Sequence, residues 1–279
     1  MLDKLSSHHI ADNDWYNAEM AKSLIDKIFF LDKVDDAGMF VDFGCANGIL
    51  LSFIEKVFPG SKLVGYDVNP EMIAEAKARD PNSEVIYTDD WNEVKTLFRE
   101  FKKTAPKGND KVVVLGSSVG HEIESYSDDG EKATAYGRIW GTEDDAIEFD
   151  YVAWRDMMAS RAASRPSDPI AVARVQQVFE AKHPGLISQW EQRWGHLGEN
   201  WSLIHFLMTY RYLANWEREY RENYLPVNYE DFMASVPNKY FPIYQDRFTL
   251  PFLRRRVMED FGIALTDTTH LKVVFELKR

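Results

Sequence analysis

The chain has 279 residues, of which 45% are hydrophobic, 28% charged and 14% aromatic; this suits one large folded domain, or a domain with an insertion, and excludes global disorder. A formal net charge of −12 argues against non-specific binding to duplex nucleic acid or an anionic membrane. The single cysteine, Cys45, rules out an intrachain disulfide and a cysteine zinc cluster. The opening MLDKLSSHHIADNDW has no apolar run and nothing approaches the ~20 apolar residues of a membrane span, so a cytoplasmic protein without signal peptide is expected.

Met20, Leu24, Ile28 and Leu31 recur at helical spacing and predict a helix over 13–31. Residues 39–44 then read as a buried strand, 49–58 as a helix stopped by Pro59-Gly60, and 62–67 as a second strand. Pro70 opens a helix to Arg79 at its favoured first position. A third strand at 84–87, a polar helix at 93–103 and a fourth strand at 111–116 follow. A helix is expected near the end of the acidic stretch 127–150, and Tyr151–Trp154 reads equally as a fifth strand or as part of a helix. Helices are then predicted at 169–182, 187–194, 201–224 and 249–261, with one helical turn around 229–235 and a final strand at 270–277. Strands alternating with helices predict an α/β fold, a doubly wound and mostly parallel sheet. The shift in character at Asp168 divides the chain into a core of 1–167 and 248–279 and a helical insertion of 168–247, which would form a lid over the substrate.

Chemistry concentrates where the first strand turns into a helix, at Val41-Asp42-Phe43-Gly44-Cys45-Ala46-Asn47-Gly48. Open parallel sheets bind ligands at the carboxyl ends of their strands. Gly44 and Gly48 allow a tight turn and a close backbone approach. Asp67, ending the second strand, is placed to accept hydrogen bonds from a ribose diol, and Asp89-Asp90-Trp91 follows the third strand, where a carboxylate meets an adenine amino group and an indole covers the ring. A strand, a glycine turn and an acid also fit a dinucleotide. Asp42 discriminates: a pyrophosphate disfavours a carboxylate in the turn, whereas a ligand bearing an ammonium and a sulfonium favours one.

VDFGCANG, GYDVNP, TDDW and VVVLGSS, in this order, resemble the motif set of the class I, Rossmann-like S-adenosylmethionine-dependent methyltransferases, and the terminal HLKVVFEL resembles that family's antiparallel last strand. Ala46 stands where the family pattern has its middle glycine. The resemblance implies S-adenosylmethionine as cofactor. It implies that Asp42, Gly44, Ala46 and Gly48 line the methionine part, that Asp67 with Val68 holds the ribose, that Asp90 (or Asp89) with Trp91 frames the adenine, and that Gly116 borders the site from the fourth strand.

Methyl transfer needs an oriented acceptor and, for an O or protonated N atom, a base. Gly116-Ser117-Ser118-Val119-Gly120-His121-Glu122 offers small residues, Ser117 among them, for a close substrate approach, with His121 as base and Glu122 to orient it. Arg155 would hold a carboxylate or phosphate of the acceptor, or else an internal salt bridge. No histidine pair has helical ligand spacing, so no metal is expected; His205 reads as a core histidine, the four tryptophans of the insertion as a satellite core or an aromatic lid, and Glu217–Glu222 as an exposed mixed-charge helix face. No Asn-Pro-Pro-aromatic motif follows the fourth strand, which argues against the amino-group methyltransferases of adenine, cytosine and glutamine. The expected function is methyl transfer to an O or N atom of a small or modest-sized polar acceptor. RNA or a nucleotide-linked acceptor is the alternative, and a nicotinamide-dependent oxidoreductase or a non-catalytic binding module are readings from other classes.

Overall fold

A computed structural model describes residues 24–34, 36–79 and 81–278; most of the first expected helix lies outside them. In chain order the core elements are a helical turn α1 (Leu24–Lys27), β1 (Ala37–Phe43), α2 (Ile49–Val57), β2 (Lys62–Tyr66), α3 (Pro70–Arg79), β3 (Ile86–Thr88), α4 (Trp91–Thr104), β4 (Lys111–Ser117), α5 (Gly120–Tyr126), α6 (Asp129–Trp140) and β5 (Tyr151–Met157). Helices α7 (Pro169–Glu180), α8 (Leu186–Trp194), α9 (Asn200–Thr209), α10 (Trp216–Glu219) and α11 (Tyr229–Ser235) follow, then β6 (Tyr240–Phe248), α12 (Pro251–Phe261) and β7 (His270–Leu277). No helix of the described residues is long and apolar enough to cross a membrane.

The seven strands form one sheet in the order β3-β2-β1-β4-β5-β7-β6. The first five are parallel, and β7 runs antiparallel to both β5 and β6. Both faces are covered, as parallel strands require. Met39, Val41 and Phe43 of β1 point into a cluster with Trp91, Val94 and Phe98 of α4 and Trp140 of α6, while Phe40 packs on the other face with Leu50, Leu51 and Ile54 of α2. That alternation delivers Asp42 to the α1–α2 face, just before the turn.

A third apolar cluster is separate from the sheet. Val175, Phe179, Trp190, Phe206 and Trp216 meet Leu253, Val257 and Phe261 of α12 there. The domain boundaries therefore differ from those expected. Phe232 of α11 packs into the sheet's own core, β6 is the sheet's edge strand, and α12 belongs with the helical cluster. The helical part thus runs to about 225 and includes α12, rather than spanning 168–247. Of the two readings open for 151–154, the structure has the strand, and two local expectations change: α6 opens the 127–150 stretch behind an Asp128–Glu131 capping box, and the long aromatic helix breaks after Thr209.

Candidate active site

The turn after β1 is held in a shape that few sequences adopt. Gly44, Ala46 and Gly48 have φ of 79°, 45° and 75°, all left-handed. A Cβ at position 48 would lie 2.4 Å from the Tyr87 hydroxyl, so glycine is required there for space as well as for conformation. Ala46 carries the strain of a left-handed non-glycine residue. The amides of Gly44 and Cys45 both donate to the Tyr66 carbonyl, at 2.8 and 3.0 Å. Asp67 accepts from the Ala46 amide and from the Asn69 amide, each at 2.9 Å. The acid at the end of β2 therefore ties the turn to the sheet.

Two buried charges flank this turn without meeting. Asp42 is 3% exposed, and burial pushes its carboxyl up to about 7, with Lys27 pulling it down and Asp67 pushing it up. Lys27 is 7% exposed, and burial followed by the nearby Arg155 charge lowers it to about 8. Neither makes a hydrogen bond or ion pair among the described residues, although each feels the other's charge.

Toward the expected adenine end, Asp90 is the N-cap of α4, accepting from the Asn92 amide at 2.9 Å, and Asp89 is exposed and uncommitted. Val68 is exposed at the rim beside Asp67. Trp91 is a correction. Its ring is 4% exposed, wedged edge-on against Phe43 and Tyr66, with the Arg138 guanidinium near its face and its indole N–H donating to Glu143 at 2.8 Å. It builds the core beneath the site and has no face to lend to an adenine. At Gly116 a Cβ would lie 2.5 Å from the Trp154 ring, so strand packing requires a glycine there.

At the carboxyl ends of β4 and β5 a pocket of about 120 Å³ opens between the sheet and the helical cluster, with Ser118, Glu122, Arg155, Glu222 and Tyr224 in its wall. His121 is buried at its floor. Its Nδ1 is 2.7 Å from Asp156 Oδ1 and its Nε2 3.0 Å from Glu222 Oε1. Burial works against a charged ring, but the two carboxylates outweigh it and hold His121 well above its usual value. Asp156 also accepts from the Gly120 and His121 amides. The expectation of a near-neutral base oriented by Glu122 is thus corrected: both ring nitrogens are engaged by carboxylates that favour the charged ring, and Asp156 and Glu222 are its partners.

Glu122 points instead to Arg218, at 3.3 Å. Burial and then the Glu222 charge raise its carboxyl to about 7, and 40% of its side chain remains exposed, so solvent tempers the rise. Arg218 also contacts Glu219 at 3.0 Å and Glu222 at 3.6 Å. The run expected as an exposed face therefore buries Glu219 and Glu222. His121, Glu122 and Glu222 bring ligand-type atoms within 4.8 Å of one another, but a cation there would have to displace Arg218 from both carboxylates.

Arg155 donates to Asp26 at 2.8 Å and to Ser118 at 2.7 Å, leaving Nη2 as the donor not already committed among the described residues. Ser118, not Ser117, reaches the pocket; the Ser117 hydroxyl is buried without a partner. His205 is buried among Trp190, Trp194 and Trp201, as expected of a core histidine, and burial lowers it to about 3.

The profile of a family described as a methyltransferase domain matches residues 16–224, most of the chain. The chain belongs to this methyltransferase family. Similar solved structures include an S-adenosylmethionine-dependent methyltransferase from Anabaena variabilis, with 12% identity, coverage of 97% of this chain and 96% of that one, and a TM-score of 0.47. Another is a geranyl diphosphate C-methyltransferase from Streptomyces coelicolor, with 10% identity, coverage of 99% and 88%, and a TM-score of 0.47. A third is the N-methyltransferase NodS from Bradyrhizobium japonicum, with 13% identity, coverage of 97% and 100%, and a TM-score of 0.40. A comparison with curated proteins finds no match.

The methyltransferase is thus an S-adenosylmethionine-dependent enzyme, and its residues fit that cofactor: a left-handed turn built on two glycines and an alanine, a buried acid beside it and a second acid at the end of β2. Lys27, Asp156, Arg218, Glu219 and Glu222 escaped the sequence analysis. The available signal was the Asp156 carboxylate beside Arg155, and the interruption of a charged run by Trp216, Tyr220 and Tyr224.

Proposed function

We propose that the methyltransferase transfers its methyl group to an O or N atom of a small polar acceptor seated in the pocket beside β4 and β5. Asp42, Gly44, Ala46 and Gly48 receive the methionine part of the cofactor, Asp67 with Val68 at the rim receives the ribose, and Asp89 receives the adenine amino group. When bound, S-adenosylmethionine supplies a methyl group on a sulfonium, the reactive centre of the transfer. The chain's own residues orient the acceptor and take its proton. Glu122 is the base in this reading, because it lines the pocket and holds its proton near neutrality. His121 positions it through Glu222 and Arg218, and Arg155 Nη2 offers its N–H donors to an anionic or carbonyl group of the acceptor.

The observation that carries the reading is the pocket itself, a cavity of about 120 Å³ with a raised carboxyl in its wall, sized for a small group. Glu122→Gln is expected to cut turnover by about 10²–10⁴-fold while S-adenosylhomocysteine binds as before. Wild-type turnover should rise as the pH climbs through about 7, where Glu122 loses its proton, and the variant should lack that rise. Full turnover in the variant would remove Glu122 from the role.

A further inference from the structure

His270 opens β7 and lines the pocket, yet neither the motifs nor the transfer chemistry uses it. Its side chain is buried. In the β5–β7 ladder His270 stands opposite Met157, and Lys272 stands opposite Arg155. Residues paired across strands share a face of the sheet, as do residues two apart along one strand. Arg155 and His270 are therefore diagonal neighbours on one face, about 7–8 Å apart at the backbone and within reach of an arginine side chain.

The tautomer of His270 follows from its partner. Thr269 is fully buried, and its hydroxyl has one hydrogen-bonding neighbour among the described residues, His270 Nδ1 at 2.7 Å. A buried hydroxyl proton without an acceptor is costly, so Thr269 donates and Nδ1 accepts. Burial, and then the charges of Arg155, His121 and Lys272, hold the ring well below its usual value and keep it neutral. A neutral imidazole that accepts at Nδ1 carries its proton on Nε2. That N–H has no acceptor among the described residues and is not sealed away from the pocket.

Two more donors join it. Arg155 keeps Nη2 uncommitted, and Ser118 Oγ accepts from Arg155 Nη1 at 2.7 Å, so the Ser118 proton is turned elsewhere and meets no acceptor among the described residues. The charge agrees with the donors. Asp26 is one carboxylate shared by two cations, Arg155 and Lys272, which leaves these three side chains with one positive charge in excess. Met157, Met208, Leu250, Phe252 and Leu253 give the same pocket an apolar wall. Donors around a single excess positive charge suit a monoanion with two oxygens, and the wall suits a hydrocarbon body. We propose that Arg155, Ser118 and His270 bind a carboxylate of the acceptor, which makes the substrate a small carboxylic acid with an apolar body. The proposal deepens, and rests on, the reading that this pocket seats the acceptor. The carboxylate is a handle: the donors occupy its lone pairs, so the methyl group goes to another O or N atom, the one served by Glu122. A phosphate monoester carries close to two negative charges and exceeds the one available.

The test uses the full chain saturated with S-adenosylhomocysteine and titrated in a calorimeter with hexanoate, hexanamide and hexylphosphonate. Hexanoate should bind about 10-fold or more tightly than either of the others. His270→Leu should weaken hexanoate by about 10–100-fold, whereas His270→Gln, which returns an N–H near the place of Nε2, should stay within about threefold of wild type. No hexanoate binding by the wild type, or equal affinities for hexanoate and hexanamide, would overturn the proposal. Equal losses in the leucine and glutamine variants would overturn it by making His270 a structural residue. Tightest binding of hexylphosphonate would overturn it in favour of a phosphorylated acceptor. Should His270→Leu not fold, nitrogen NMR of the histidine-labelled wild type decides alone. The His270 ring should be neutral with its proton on Nε2, and that N–H signal should move when hexanoate binds. A charged ring, a proton on Nδ1 or an unmoved signal would overturn the proposal. Failure of the underlying reading looks different: hexanoate would bind with these preferences yet leave methyl transfer uninhibited.

Discussion

The two halves of the site treat buried charge in opposite ways. Beside the glycine turn, Asp42 and Lys27 are buried and unpaired. Beneath the pocket at the ends of β4 and β5, charges are engaged with one another: His121 with Asp156 and Glu222, Arg218 with Glu122, Glu219 and Glu222, Tyr126 with Glu222, and Tyr224 with Glu219. Pairing makes a rigid part whose loss is felt as instability, because removing one member strands the others in low dielectric. Leaving charge unpaired makes a receptive part whose loss is felt as affinity. The position of a substitution in this scheme should decide which measurement responds.

The largest effect is expected at the paired end. Asp156→Ala strands the His121 imidazolium and leaves the Gly120, His121 and Met157 amides without their acceptor. Stability should fall by about 3–5 kcal/mol in chemical denaturation. A loss below about 1 kcal/mol would mean that the network is not the rigid element described. Asp67→Ala is expected to sharpen the contrast. It deletes two acceptor contacts at a half-buried position, so the loss of fold should be modest, about 1–2 kcal/mol, whereas affinity for S-adenosylhomocysteine should drop by about 10–100-fold. Calorimetry giving wild-type affinity in a folded variant would break the comparison. The smallest effect lies in the turn itself. Ala46→Gly relieves a left-handed alanine and should raise stability by up to about 1 kcal/mol, while the branched Ala46→Val should lower it. The same sign for both in thermal melts would count against backbone strain at this position.

The readable parts of the sequence were the local ones. Asp42, Gly44, Ala46, Gly48 and Asp67 lie within one strand–turn–helix–strand unit, where spacing alone fixes neighbours, and the parallel order of the first five strands follows from the βα alternation. The pocket was not readable in this way. Glu122 meets Arg218 across 96 residues of chain, and no periodicity in the run around Glu219 and Glu222 announces a buried partner. Trp91 misled because an aromatic side chain after a strand has the same sequence signature whether it stacks on a ligand or packs beneath one. The strand β6 was missed because most of its side chains are exposed, which removes the alternation that marks a half-buried strand, and because Pro242 sits within it.

That proline has a consequence for how the molecule behaves in company. An open sheet ends in two rows of unpaired backbone groups, which can template the addition of a foreign strand. At one end β3 offers only three residues, Ile86–Thr88. At the other, β6 exposes Phe241 and Ile243, an invitation to aggregate, but Pro242 between them has no N–H to donate and the ladder is bulged between Pro242 and Tyr244. One edge is too short to nucleate intermolecular pairing and the other is interrupted at its stickiest point, so the sheet is guarded against self-propagating growth at both ends.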